Sequence, residues 1–150
     1  MSDLRIEVVG DEAGDEAAQR DWRIVHNLII PTDPLSPDEV RDRAGRHRLE
    51  VAYLGAELVG CMTVRPPEGE AAVATVIARV LPEYRRRGFG TRLYGLGLAR
   101  ARELGAERIQ TVVLESNPEG LRFALAQGFV EVERYLLPGD TVPFIDLELA

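Results

Sequence analysis

Residues 85–92 read Arg-Arg-Arg-Gly-Phe-Gly-Thr-Arg, the run with the most chemistry in the chain. Gly88 and Gly90 lack Cβ atoms, so the backbone there can turn sharply and aim several N–H groups at one point. A helix opening at such a turn adds free first-turn N–H groups and a partial positive charge. Arg85, Arg86, Arg87 and Arg92 surround them with fixed positive charge. Together these groups suit a diphosphate. Two commoner phosphate motifs fail on spacing. A P-loop needs a Lys-Ser/Thr pair, and the chain has no lysine. A dinucleotide fingerprint needs a third glycine at position 93, which is Leu93.

The elements around this run can be read from periodicity. Residues 71–81 are apolar and rich in β-branched side chains, which predicts a strand leading into the glycine turn. Leu93, Leu96, Ala99 and Leu104 recur at helical spacing beyond it, and Gly105 suits the end of that helix. Arg108 to Leu114 reads as the next strand. Asn117-Pro118 fits a helix cap followed by proline at the first helical position. Leu121 and Leu125 continue that short helix, which ends at Gly128-Phe129 and runs into another strand.

Arg85-x-x-Gly88-x-Gly90, followed by Asn117 and then Gly128-Phe129, resembles the motif pair of the GCN5-related N-acetyltransferases (the GNAT superfamily). The resemblance spans most of the chain. It implies an α/β (α+β) fold: a mixed, mostly antiparallel seven-stranded sheet flanked by about four helices, with strands 4 and 5 splayed. It also implies acetyl-CoA as cosubstrate, no metal, and transfer of an acetyl group to the primary amine of a small-molecule or peptide acceptor. Ala78, Arg79 and Val80 would bind the pantetheine arm like an extra strand. Arg85, Arg86, Arg87, Gly88, Phe89, Gly90 and Thr91 would form the diphosphate site, and Asn117 would lie along the arm.

The chain departs from the family at the proton-transfer groups. Many members carry a tyrosine seven residues after the motif asparagine, where this chain has Ala124. Some carry a glutamate five residues before it, where this chain has Val112. Glu115 is the nearest replacement base in sequence and Tyr135 is a candidate acid. A non-catalytic acyl-CoA-binding sensor or interaction module with the same fold therefore stays open as an alternative. So does a structural domain using the cradle for an ordinary anion.

Composition narrows the class. One hundred and fifty residues, 45% hydrophobic, suit one domain spanning 1–150. No apolar run approaches a membrane span, and the Met-Ser-Asp-Leu-Arg start has no apolar signal segment, so a cytoplasmic protein is expected. Cys61 is alone and sits in a strand-like setting. His26 and His47 lack metal-ligand spacing and read as structural, as does Trp22. The net charge of −7 argues against nucleic acid as a partner. Between Arg79 and Arg108 lie eight arginines and three acids, a balance of +5. Ten basic and twenty-two acidic side chains elsewhere give −12. An anionic cofactor and a small cationic amine acceptor fit this division, with Asp33 in a proline-stiffened loop holding the ammonium. Homodimerisation is left open.

The remaining segments follow the same logic. Residues 4–9 and 142–149 read as the first and last strands and 12–29 as a helix. Ser36-Pro37 with Glu39 predicts a capping box. Residues 48–54 and 58–65 flank a hairpin turn predicted at residues 55–57, and residues 66–69 read as a turn. The predicted order is βααβββαβαββ.

Overall fold

A computed structural model describes residues 4–150. Residues 1–3, part of the amino-terminal segment read above, lie outside the described residues. The elements are β1 (Arg5–Val9), α1 (Glu16–Ile29), α2 (Pro37–Arg46), β2 (Arg48–Leu54), β3 (Glu57–Glu68), β4 (Val73–Val80), α3 (Phe89–Glu103), β5 (Arg108–Leu114), α4 (Pro118–Ala126), β6 (Phe129–Tyr135) and β7 (Phe144–Leu149). This is the α/β order that the sequence predicts. Among the described residues no helix is long and apolar enough to cross a membrane.

Local chemistry sets the helix starts. Ser36 Oγ accepts the Glu39 N–H at 3.2 Å while the Glu39 carboxylate accepts the Ser36 N–H at 2.9 Å, so α2 opens on the expected capping box. α1 starts later than position 12. There the Asp15 carboxylate accepts the Glu12 N–H at 3.2 Å, a local bond that competes with α-helical pairing. Residues 13–15 therefore wind as a 3-10 turn ahead of Glu16. β3 also differs from the sequence reading, since residues 66–69 do not form the turn. Neither Pro66 nor Pro67 has an N–H to offer a ladder, so the register with β4 shifts between Arg65 and Glu68 and the strand continues. The turn comes at residues 69–72, closed by the Ala72 N–H on the Gly69 carbonyl at 3.1 Å.

The strands form one sheet in the order β1-β2-β3-β4-β5-β7-β6. Every pairing is antiparallel except β4 with β5. Those two parallel strands pair only at Val73 with Arg108, Ala74 with Ile109 and Thr75 with Gln110, and then part. Period-two alternation sorts the side chains onto two faces. Cys61, Val51 and Leu49 meet Trp22, Val25 and Val40 under α1 and α2. Met62, Val64 and Val76 meet Leu93, Tyr94 and Phe129 under α3 and α4. α3 lies close on the sheet because Gly97 has no side chain. A Cβ there would stand 2.5 Å from Val76 Cγ1 and 2.8 Å from Met62 Sδ.

Candidate active site

Where β4 and β5 part, a groove of about 460 Å³ opens on the α3–α4 face. Its floor is the free edge of β4. The Leu81 N–H bonds to the Val59 carbonyl at 2.8 Å, so antiparallel alternation turns the backbone groups of Ala78 and Val80 towards the unpaired side. One end is the start of α3. Gly88 caps this helix at φ +81°, in the left-handed region, and Arg86 just before it also has a positive φ of 64°. The first helical bond runs from the Arg92 N–H to the Gly88 carbonyl, leaving the N–H groups of Phe89, Gly90 and Thr91 without a helical acceptor. These donors and the positive end of α3 suit a diphosphate.

The three consecutive arginines do different things. Arg85 Nε donates to the Val80 carbonyl at 3.0 Å and its Nη1 to Glu119 at 3.3 Å, tying the loop to the end of β4 and the start of α4. Arg86 belongs to the groove wall. Arg87 lies outside it, its guanidinium over the rings of Tyr84 and Phe89 at 5.8 and 5.2 Å. Gly90 has a second reason to be glycine: a Cβ would meet Phe123 of α4 at 2.9 Å. Asn117 caps α4, accepting the Gly120 N–H at 3.1 Å, and its amide borders the groove. Ala124, at the family tyrosine position, is fully buried and does not line the groove.

A second cavity, of about 360 Å³, lies on the α1–α2 face of the same opening, and Arg79 is common to both. Here Arg43, Arg65 and Arg79 come together with Asp33, Asp146 and Tyr135. The Tyr135 hydroxyl donates to Asp146 Oδ1 at 3.0 Å, and burial followed by this carboxylate pushes its pKa up to about 12. His26 is buried beneath the cavity and stacks on Trp22 with ring centroids 5.2 Å apart. Asn27 Oδ1 already accepts the Leu35 N–H, so His26 Nδ1 donates to it at 2.9 Å and Nε2 keeps the lone pair. Burial first, then Arg79, lowers the His26 pKa to about 4, so the ring is neutral. Cys61 is fully buried against Arg79, and burial raises its thiol to about 11.

The structure thus brings Ala78, Arg79, Val80, Arg85, Arg86, Gly88, Gly90, Thr91 and Asn117 to one groove. Tyr135 and Asp33 come to the other cavity. Glu115 joins neither: its carboxylate is exposed and ion-paired with Arg134 at 2.9 Å. The sequence reading missed Arg43, Arg65 and Asp146. Strand parity carried a signal for Arg65 and Arg79, which fall in phase with the buried Cys61, Thr63 and Ile77. A charge at such a position needs a cavity or a partner.

A two-sided opening between parallel strands, with a helix-terminus cradle on one side, is the architecture of acyl-CoA-dependent acetyltransferases. The sequence profile of the Acetyltransferase (GNAT) family matches residues 13–129, and the chain belongs to that family. No curated protein sequence matches the chain. Among solved structures it is similar to a candidate phosphinothricin N-acetyltransferase, with TM-score 0.76 at 19% identity over 98% of both chains. It also resembles yncA of Salmonella typhimurium, a candidate acetyltransferase solved with its cofactor acetyl-CoA, with TM-score 0.71 at 14% identity over 99% of this chain and 94% of that one. Nourseothricin acetyltransferase shares 27% identity with TM-score 0.63 over 69% of this chain and 65% of its own.

Proposed function

We propose that the protein is an N-acetyltransferase that moves the acetyl group of acetyl-CoA to the primary amine of a small acceptor by direct attack on the thioester. The observation that carries this reading is the meeting of two cavities, one on each face of the sheet, at the gap between β4 and β5. A donor on one side and an acceptor on the other are then brought together at a place where backbone groups are unpaired.

The residues present fit acetyl-CoA. The N–H groups of Phe89, Gly90 and Thr91 hold the diphosphate, with Arg86 adding charge, and Arg85 fixes the loop that presents them. The backbone of Ala78 and the N–H of Val80, on the unpaired side of β4, align the pantetheine arm, with Asn117 on its other flank. The cosubstrate supplies an acetyl thioester as electrophile. On the protein side, the Val80 N–H at the open edge faces the carbonyl oxygen on which charge develops. The acceptor nitrogen forms its bond to the carbonyl carbon as the C–S bond breaks. Its surplus proton passes to the carboxylate of Asp146, and the thiolate, whose ordinary pKa is about 8.5, needs little help to leave. The Tyr135 hydroxyl stays protonated, orients Asp146 and serves as a donor within the acceptor cavity.

Thiol release from acetyl-CoA with a panel of primary amines tests the reaction. Tyr135→Phe is expected to lower kcat about tenfold or more without weakening acetyl-CoA binding measured by calorimetry, whereas Glu115→Gln costs less. Saturable acetyl-CoA binding with no turnover of any amine would return the chain to the non-catalytic sensor reading.

A further inference from the structure

The acceptor cavity carries more positive charge than an amine site requires. Arg43 comes from α2, Arg65 from β3 and Arg79 from β4, and all three border it. Nine of the eighteen arginines form ion pairs among the described residues, and none of these three is among the nine. Burial lowers the pKa of both Arg43 and Arg79, and in each case the Arg65 charge lowers it further. Burial keeps His26 neutral, and Arg79 and Arg43 both add to that effect. The carboxylates are fewer: Asp146 is already accepting from Tyr135, and Asp33 makes no ion pair within the described residues. With three guanidinium groups, two carboxylates and a neutral imidazole, the lining has a formal charge of +1.

Three cations facing only two carboxylates, neither of them ion-paired to an arginine of the cluster, are costly in a half-buried setting. An anion of the acceptor relieves that cost. Guanidinium forks match the two oxygens of a carboxylate or of a phosphorus oxyanion and bind them with charge-assisted hydrogen bonds. A volume of about 360 Å³ holds a small molecule of this kind.

We propose that the acceptor is a small amino acid-like molecule bearing its primary amine and an anionic group together, with the anion held by Arg43, Arg65 and Arg79. This rests on the N-acetyltransferase reading and gives the acceptor a sign opposite to that expected from Asp33 alone. Asp33 and Asp146 are left for the ammonium end, which must lose a proton to react.

The test uses the full chain and matched probes: leucine against leucinamide, alanine against its aminophosphonate analogue, and putrescine as a dication. Calorimetry measures binding of each probe independently of turnover, and thiol release gives kcat/KM with acetyl-CoA. Expected is at least tenfold preference for leucine over leucinamide in both measurements, shrinking in high salt. Arg65→Gln and Arg43→Gln, neither in the donor groove, should each bring that ratio close to one while acetyl-CoA still binds. Alanine and the aminophosphonate separate the carboxylate from the phosphorus oxyanion as the preferred anion. Preference for putrescine or leucinamide overturns the proposal, as does a leucine preference that survives both substitutions or the absence of binding by every anionic probe. If acetyl-CoA itself fails to bind, the donor reading falls, and the calorimetric arm still decides this one.

Discussion

The two cavities at the split sheet are built by opposite means. On the α3–α4 side, the anion-facing groups are mostly backbone N–H groups presented by one short stretch, residues 86–91, and held by Arg85. On the α1–α2 side they are side chains, Arg43, Arg65 and Arg79, delivered singly from α2, β3 and β4. A backbone cradle has the same chemistry in every chain that can fold the turn, so it suits a fixed cofactor. A side-chain cavity can change one residue at a time, so it suits a variable acceptor. The contrast also predicts that the first side fails through conformation and the second through charge.

The largest expected effect tests the charge-dominated side. His26 has a folded-state pKa of about 4, below its ordinary 6.5, because burial and two guanidinium groups oppose its charge. Its contribution to stability is therefore full above about pH 6.5 and is lost as pH falls towards 4. The difference amounts to about 3 kcal/mol. Urea unfolding between pH 7 and 4 should show this loss, and His26→Gln should flatten it. An unchanged slope in the variant would mean that the imidazole does not sense the cluster.

Gly88→Val tests the conformational side. A branched residue at φ +81° costs about 1–2 kcal/mol and turns the cradle N–H groups away. Acetyl-CoA affinity is expected to drop about tenfold by calorimetry, with little change in the binding of an anionic acceptor probe. Equal losses on both sides would erase the distinction.

Gly90→Ala should act through Phe123, whose ring would be displaced from the groove wall. About 1 kcal/mol of stability is expected to go, visible as a lower Tm. Arg85→Ala should have the smallest effect, weakening acetyl-CoA binding a fewfold by freeing the Val80 carbonyl and Glu119, since Arg85 steadies the cradle and forms no part of its donor set.

The same contrast explains what the sequence could tell. The cradle was legible because its parts are contiguous: glycines, arginines and a helix start within eight residues. The capping box at Ser36 and the cap at Asn117 were legible for the same reason, as was the element order. The arginine cluster was not, because Arg43, Arg65 and Arg79 meet only after three elements pack. Nor was the Phe123 ring against Gly90, which comes from the next helix along the chain. Pro66-Pro67 misled in the other direction, because the local turn signal gave way to pairing with β4 through a shifted register.

The short parallel seam has a further consequence. Among the described residues only three ladder pairs join β4 to β5, so the hydrogen-bonded ladder lacks rungs at the centre of the sheet. On the proposed function, acetyl-CoA lying along β4 would supply some of those missing rungs and become a load-sharing member of the sheet. The cosubstrate is then also a stabiliser, adding by mass action about 2.7 kcal/mol at a hundred times its Kd. On this view the lifetime of the folded chain rises and falls with the supply of the molecule it consumes.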